Sequence, residues 1–120
     1  MPIPPIPPPA PAFVVWTPFP AAVAGVITLP FPSSGNAAFY GTITQNVTFA
    51  FSGGSFAIKQ TMSLALYQNS TGGAVITLEG LPSVRWPGGG SPPAPSTAPN
   101  ALNVFHIDTT PVAGVYQGSY

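Results

Sequence analysis

The sequence predicts an all-β protein: an antiparallel β-sandwich or jelly roll with an extended Pro-rich N-terminal arm. Three observations lead there. No window sustains an apolar period of about 3.6 residues, and 13 glycines with 18 prolines leave little room for a helix. From Val23 onward, short apolar or alternating runs are parted by clusters of Gly, Pro, Ser and Asn. Half of the prolines fall between Pro2 and Pro20. The division that follows is an arm over residues 1–22 and a β-sandwich over residues 23–120.

In Met1–Pro20 each proline fixes φ, removes a donor and drives the preceding residue out of the helical region. An extended, polyproline-like arm results, and at ~3.1 Å per residue it reaches roughly 60 Å. Such composition also suits a free, disordered tail. Phe13, Val14, Val15, Trp16 and Phe19 argue for the arm, because disordered linkers are poor in groups that gain by burial. These five are the expected partner-binding residues. The PxxP spacings Pro5–Pro8 and Pro8–Pro11 lack a flanking Arg or Lys, which disfavours an SH3-type ligand.

Val23–Leu29 reads as a strand closed by Pro30, Pro32 and Ser33-Ser34-Gly35-Asn36. Phe39–Thr44 follows, then Val47, Phe49 and Phe51 alternate with Thr48 and Ala50 until Gly53-Gly54. Phe56, Ile58, Met62, Leu64 and Leu66 share one face, with Gln60 marking a kink or bulge. Gln68-Asn69-Ser70-Thr71-Gly72-Gly73 reads as a hairpin loop leading to Ala74–Leu78. An irregular stretch from Pro82 to Pro99 precedes two final strands, Leu102–Asp108 and Gly114–Tyr120.

Only Lys59, Glu79, Arg85 and Asp108 carry a full side-chain charge, the formal net charge is zero and mean hydropathy is +0.36. An ordinary domain is about a quarter charged and uses those ions to stay apart from its neighbours. A chain without them is expected to associate. Two cations provide no basic face for nucleic acid. Pro11, Pro18 and Pro20 break the apolar stretch Ala10–Leu29, which argues against a membrane span. The uncharged start likewise lacks the basic residues of a secretory signal.

Candidate chemistry is sparse. His106 and Asp108 share one strand face, yet a metal site or a general base needs further partners, and Glu79 is the only other acid. A structural polar pair is the favoured reading. No cofactor, metal or catalytic residue is expected, and an enzyme is not. Asn46-Val47-Thr48 and Asn69-Ser70-Thr71 match the glycosylation pattern but suit turn or strand chemistry as well. Gly88-Gly89-Gly90 lacks the Lys-Ser/Thr and the helix of a phosphate loop. Trp86 has two readings, a sugar-stacking aromatic beside Arg85 or a core anchor beside Pro87, and packing favours the second. Arg85 and Trp86 are thus candidates for recognition by a loop, and Arg85 is also placed to pair with Glu79.

Leu81-Pro82-Ser83-Val84-Arg85-Trp86-Pro87-Gly88-Gly89, then Pro92-Pro93 and Asn103-Val104-Phe105-His106-Ile107-Asp108-Thr109, resembles a repeat of tailed-bacteriophage virion proteins. There a strand enters a V-K/R-W-P-G-G turn, and a D/N-V-F-x-F strand and a T-W-Y-G strand follow. Thr42-Ile43-Thr44-Gln45-Asn46 and Leu66-Tyr67-Gln68-Asn69 are also similar to that family's hairpins. The likeness spans roughly Asn36–Gly118. It departs at the end, where Pro111-Val112-Ala113-Gly114 replaces an acidic-Gly pair and Val115-Tyr116-Gln117-Gly118 replaces Trp-Tyr-Gly. The resemblance implies a structural virion role. The expectation is a homotrimeric capsid decoration (cement) protein on the capsid surface, its arm and β-domain bound to the major capsid protein. The alternative is a tail or neck fibre module that binds a host receptor.

Overall fold

The computed structural model describes residues 3–5, 14–87 and 91–120. Among these residues nine strands are present: β1 (Trp16–Pro18), β2 (Val26–Phe31), β3 (Ala37–Ile43), β4 (Val47–Gly53), β5 (Thr61–Gln68), β6 (Ile76–Leu78), β7 (Val84–Arg85), β8 (Leu102–Thr109) and β9 (Tyr116–Ser119). They build a large sheet, ordered β1-β3-β5-β8-β9-β7, and a small sheet, ordered β2-β4-β6. Among the described residues there is no helix, so the all-β expectation holds.

From β1 to β7 the chain changes sheet with every strand. Sequence neighbours therefore face each other across the core, and next-but-one strands lie side by side. Two reversals restore the original direction, so β1–β3, β3–β5, β2–β4 and β4–β6 all pair in parallel. This corrects the antiparallel expectation, and with it the hairpins read between neighbouring runs. The stretch Gln68–Gly73 is one of these crossings, since β5 lies in the large sheet and β6 in the small one. A Cβ on Gly72 would stand 2.7 Å from Pro99 N and Thr97 O, so only glycine fits there. Antiparallel pairing is found where β8 joins β5 and β9. The β8–β9 connection is a true hairpin, closed by Thr110 Oγ1 donating to the Val115 carbonyl at 2.8 Å.

Alternation within each strand fills the space between the sheets. The small sheet contributes Ile27, Leu29, Phe31, Val47, Phe49, Phe51, Ile76 and Leu78. Facing them are Ile43, Met62, Leu64, Leu66, Val84, Phe105, Ile107 and Tyr116 of the large sheet. A side chain of this size contributes about 1.5–3 kcal/mol when fully buried. Tyr116 joins the layers: its ring stacks on Phe31 at 5.4 Å, and its hydroxyl donates to the Gly53 carbonyl at 2.9 Å.

Two strands begin three or more residues later than the sequence reading has them. The run Val23–Leu29 starts late, at Val26, because Ala24 and Gly25 take φ values of 52° and 77° and turn the chain between Val23 and Val26. The run from Phe56 to Leu66 becomes a strand only at Thr61. Gln60, expected as a kink, is fully buried; its backbone bonds to Thr109 at the end of β8 while its side chain bonds to loops.

Candidate functional site

The large sheet has one face on the core and one facing out. Register places the outward residues in rows. Trp16, Ala38, Ser63 and His106 form one row, Pro18, Tyr40, Ala65 and Val104 the next, and Thr42, Tyr67 and Leu102 the third. The last two rows are apolar or aromatic nearly throughout. Trp16, Tyr40, Ala65, Tyr67, Leu102 and Val104 line a groove of about 470 Å³. Trp16, Tyr67 and Leu102 are 49%, 41% and 52% exposed, although all three are large hydrophobic side chains. Ala65 is buried at its floor between larger neighbours. No lining residue carries a charge.

The opposite end of the same face is polar. Thr61 and Gln117 pair with Asp108, and Gln117 pairs in turn with Arg85. His106 lies one row away, its Nδ1 at 3.2 Å from Ser63 Oγ across the strands. Among the described residues no three His, Cys, Asp or Glu side chains stand together as metal ligands. His106 and Asp108 are thus neighbours on one strand face, with Ser63 beside His106 on the adjoining strand.

The residues expected to bind a partner divide into three sets. Phe13 lies outside the described residues. Val14, Val15 and Trp16 are exposed, and Trp16 borders the groove. Phe19 is turned inward, its ring 4.9 Å from Phe49, with a Cβ at Gly41 blocked by that same ring. It belongs to the core rather than to a free arm, because β1 seats the chain on β3 and the Phe19 amide donates to the Tyr40 carbonyl at 3.0 Å. Residues 16–18, inside the segment read as an arm, are thus an edge strand.

Arg85 and Trp86 part company. Strand alternation sends Val84 and Trp86 in and leaves Arg85 and Pro87 out. Trp86 is 3% exposed, meets Phe105 edge-on, and its Nε1–H donates to the Glu79 carbonyl at 2.8 Å. Stacking on a ligand is closed to it, and the core-anchor reading applies. The carboxylate of Glu79 turns to the Phe51 N–H at 3.0 Å instead of to Arg85. Gly88-Gly89-Gly90 lies outside the described residues.

Sequence reasoning missed Tyr40, Tyr67, Leu102 and Val104. The signal was present. Leu102 and Val104 stand in the opposite phase of β8 from Phe105 and Ile107, and Tyr67 in the opposite phase of β5 from Leu64 and Leu66. Only the strand order brings them together.

Compared with known proteins, the chain matches no protein-family model, no curated protein and no solved structure.

Proposed function

We propose that this protein is a structural virion subunit of the capsid-decoration type, which binds the phage head shell and stabilises it. The uncharged outer groove between Trp16 and Leu102 carries the assembly part of this reading. Contiguous exposed apolar surface of this kind marks an interaction site, and this chain has almost no ions with which to keep neighbours away. The virion part rests on the resemblance of Leu81–Gly89 and Asn103–Thr109 to tailed-phage proteins.

The mechanism is burial. Exposed apolar side chains on β1, β3, β5 and β8, together with Val14 and Val15 ahead of them, leave water when subunit meets subunit. Each contact is modest, and many copies on one shell multiply it. The major capsid protein is the proposed partner and a homotrimer the proposed unit. Quantitative mass spectrometry of purified particles tests the assignment. Decoration requires a copy number comparable with that of the shell subunit, whereas a handful of copies per particle contradicts it and indicates a fibre.

A further inference from the structure

We propose that the outer groove of the large sheet binds the Pro-rich segment Pro2–Pro11 of a second copy of this chain, so that each subunit straps the next. This deepens the assembly reading above and rests on it. The occupant follows from four properties of the two surfaces.

The first is shape. Bound as a polyproline II helix, with three residues per turn at ~3.1 Å each, the segment would set Pro2, Pro5, Pro8 and Pro11 in one line about 9.3 Å apart. Ile3 and Ile6 fall in the line beside it. In the groove, Tyr40 pairs with Ala65 and Ala65 with Val104, so two strand spacings, about 9.6 Å, part Tyr40 from Val104. The small Ala65 leaves a notch between them. Trp16 and Tyr67 stand at its borders. Aromatic-lined grooves accept proline ridges, and a ligand already restricted by proline loses little entropy on docking.

The second is hydrogen bonding. Proline has a carbonyl but no N–H, so the segment offers an excess of acceptors. Trp16, Tyr40 and Tyr67, which line the groove, each carry one N–H or O–H donor. The third is charge. Neither the groove lining nor the side chains of Pro2–Pro11 include an ion, so docking strands no charge away from water.

The fourth is direction, and it selects a neighbour over the chain's own segment. β1 runs parallel to β3, with Trp16 beside Ala38 and Pro18 beside Tyr40. The chain therefore enters from the Ala38 side and heads toward the Tyr40 row, with the Tyr67–Leu102 row beyond. Val14 and Val15, just ahead of Trp16, are thus on the side away from the Tyr67–Leu102 row. Folding back would require a reversal within Ala12-Phe13-Val14-Val15, which holds no Gly, Asn, Asp or Ser. A segment passed from one copy to the next is a heterologous contact, which closes into a ring when its rotation permits.

The test uses the full chain, free of particles, and a fluorescent synthetic peptide of residues 1–12. Tyr40→Thr with Tyr67→Thr keeps β-propensity while removing two walls of the groove. Peptide anisotropy should show saturable binding to the native chain, about tenfold weaker binding to the double variant, and loss on changing Pro5 and Pro8 of the peptide to Ala. The double variant, with an unchanged circular dichroism spectrum, should also lose self-association in sedimentation. In a mixture of ¹⁴N and ¹⁵N chains carrying a photo-crosslinker at Ile6, mixed-isotope products ending near Tyr67 are expected. Unaltered peptide binding or self-association in the double variant overturns the proposal. So do crosslinks confined to single chains, or a groove whose Trp fluorescence answers sugars but not the peptide. A high copy number in particles combined with any of these would leave decoration standing and remove only the strap.

Discussion

Gln60 and Thr109 bind each other twice: the Gln60 N–H donates to Thr109 Oγ1 at 2.8 Å, and the Gln60 carbonyl accepts from the Thr109 N–H at 2.9 Å. Around this clasp the Gln60 carboxamide is fully used. Its Nε2 donates to the carbonyls of Pro32 and Gly35 at 2.9 and 2.7 Å, and its Oε1 accepts from the Ser55 N–H at 2.6 Å. A polar residue that spoils the apolar pattern of its segment thus joins the loop after β2, the loop after β4 and the end of β8.

Gln60→Leu should cost about 3 kcal/mol, since two carbonyls and one N–H lose their partner within the fold at about 1 kcal/mol or more each. Chemical denaturation reads this directly. A midpoint equal to that of the native chain would show that water replaces the carboxamide without loss.

Gly118→Ala should destabilise the protein by about 1–3 kcal/mol. A Cβ there would lie 2.5 Å from the Trp86 ring, which is held by Phe105 and by the Glu79 carbonyl and has nowhere to retreat. Thermal melting with Trp fluorescence checks both the stability and the ring's environment. An unshifted melt would contradict the packing described.

Alkaline pH should weaken the fold through Tyr116. Burial, and then the negative charge of Glu79, push its phenol above the ordinary value of 10.0. Above about pH 10 the unfolded chain loses this proton while the folded chain retains it, so the folded state binds more protons and stability falls as pH rises. Below that range the contribution is fully present. Tyr116→Phe loses the bond to Gly53, about 1 kcal/mol at neutral pH, and should then decline less steeply toward alkaline pH. Urea midpoints across the two pH ranges decide it, and parallel curves for both proteins would refute the assignment.

The strands were legible where alternation was clean. Val47, Phe49 and Phe51 point inward as their period requires, as do Met62, Leu64 and Leu66. Period two tells which face a residue takes, but it is silent on which strand lies beside it. For that reason the parallel ladders escaped notice. The three residues between Ile43 and Val47 suit a hairpin as well as a crossing, and the structure uses them to change sheets. The groove was half legible. Trp16 stood out by composition, whereas Tyr40, Tyr67, Leu102 and Val104 are spread along the chain and meet only through the order β1-β3-β5-β8. Phe19 misled for the opposite reason, since a proline-flanked aromatic reads as free until β1 docks on β3.

Hydroxyl-radical footprinting of Trp16, Tyr40 and Tyr67 measures whether protein covers the outer sheet face in the particle proposed above. If other polypeptide lies over that face, oxidation of all three should drop severalfold from dilute free chain to particle. Equal oxidation rates in the two states would contradict it.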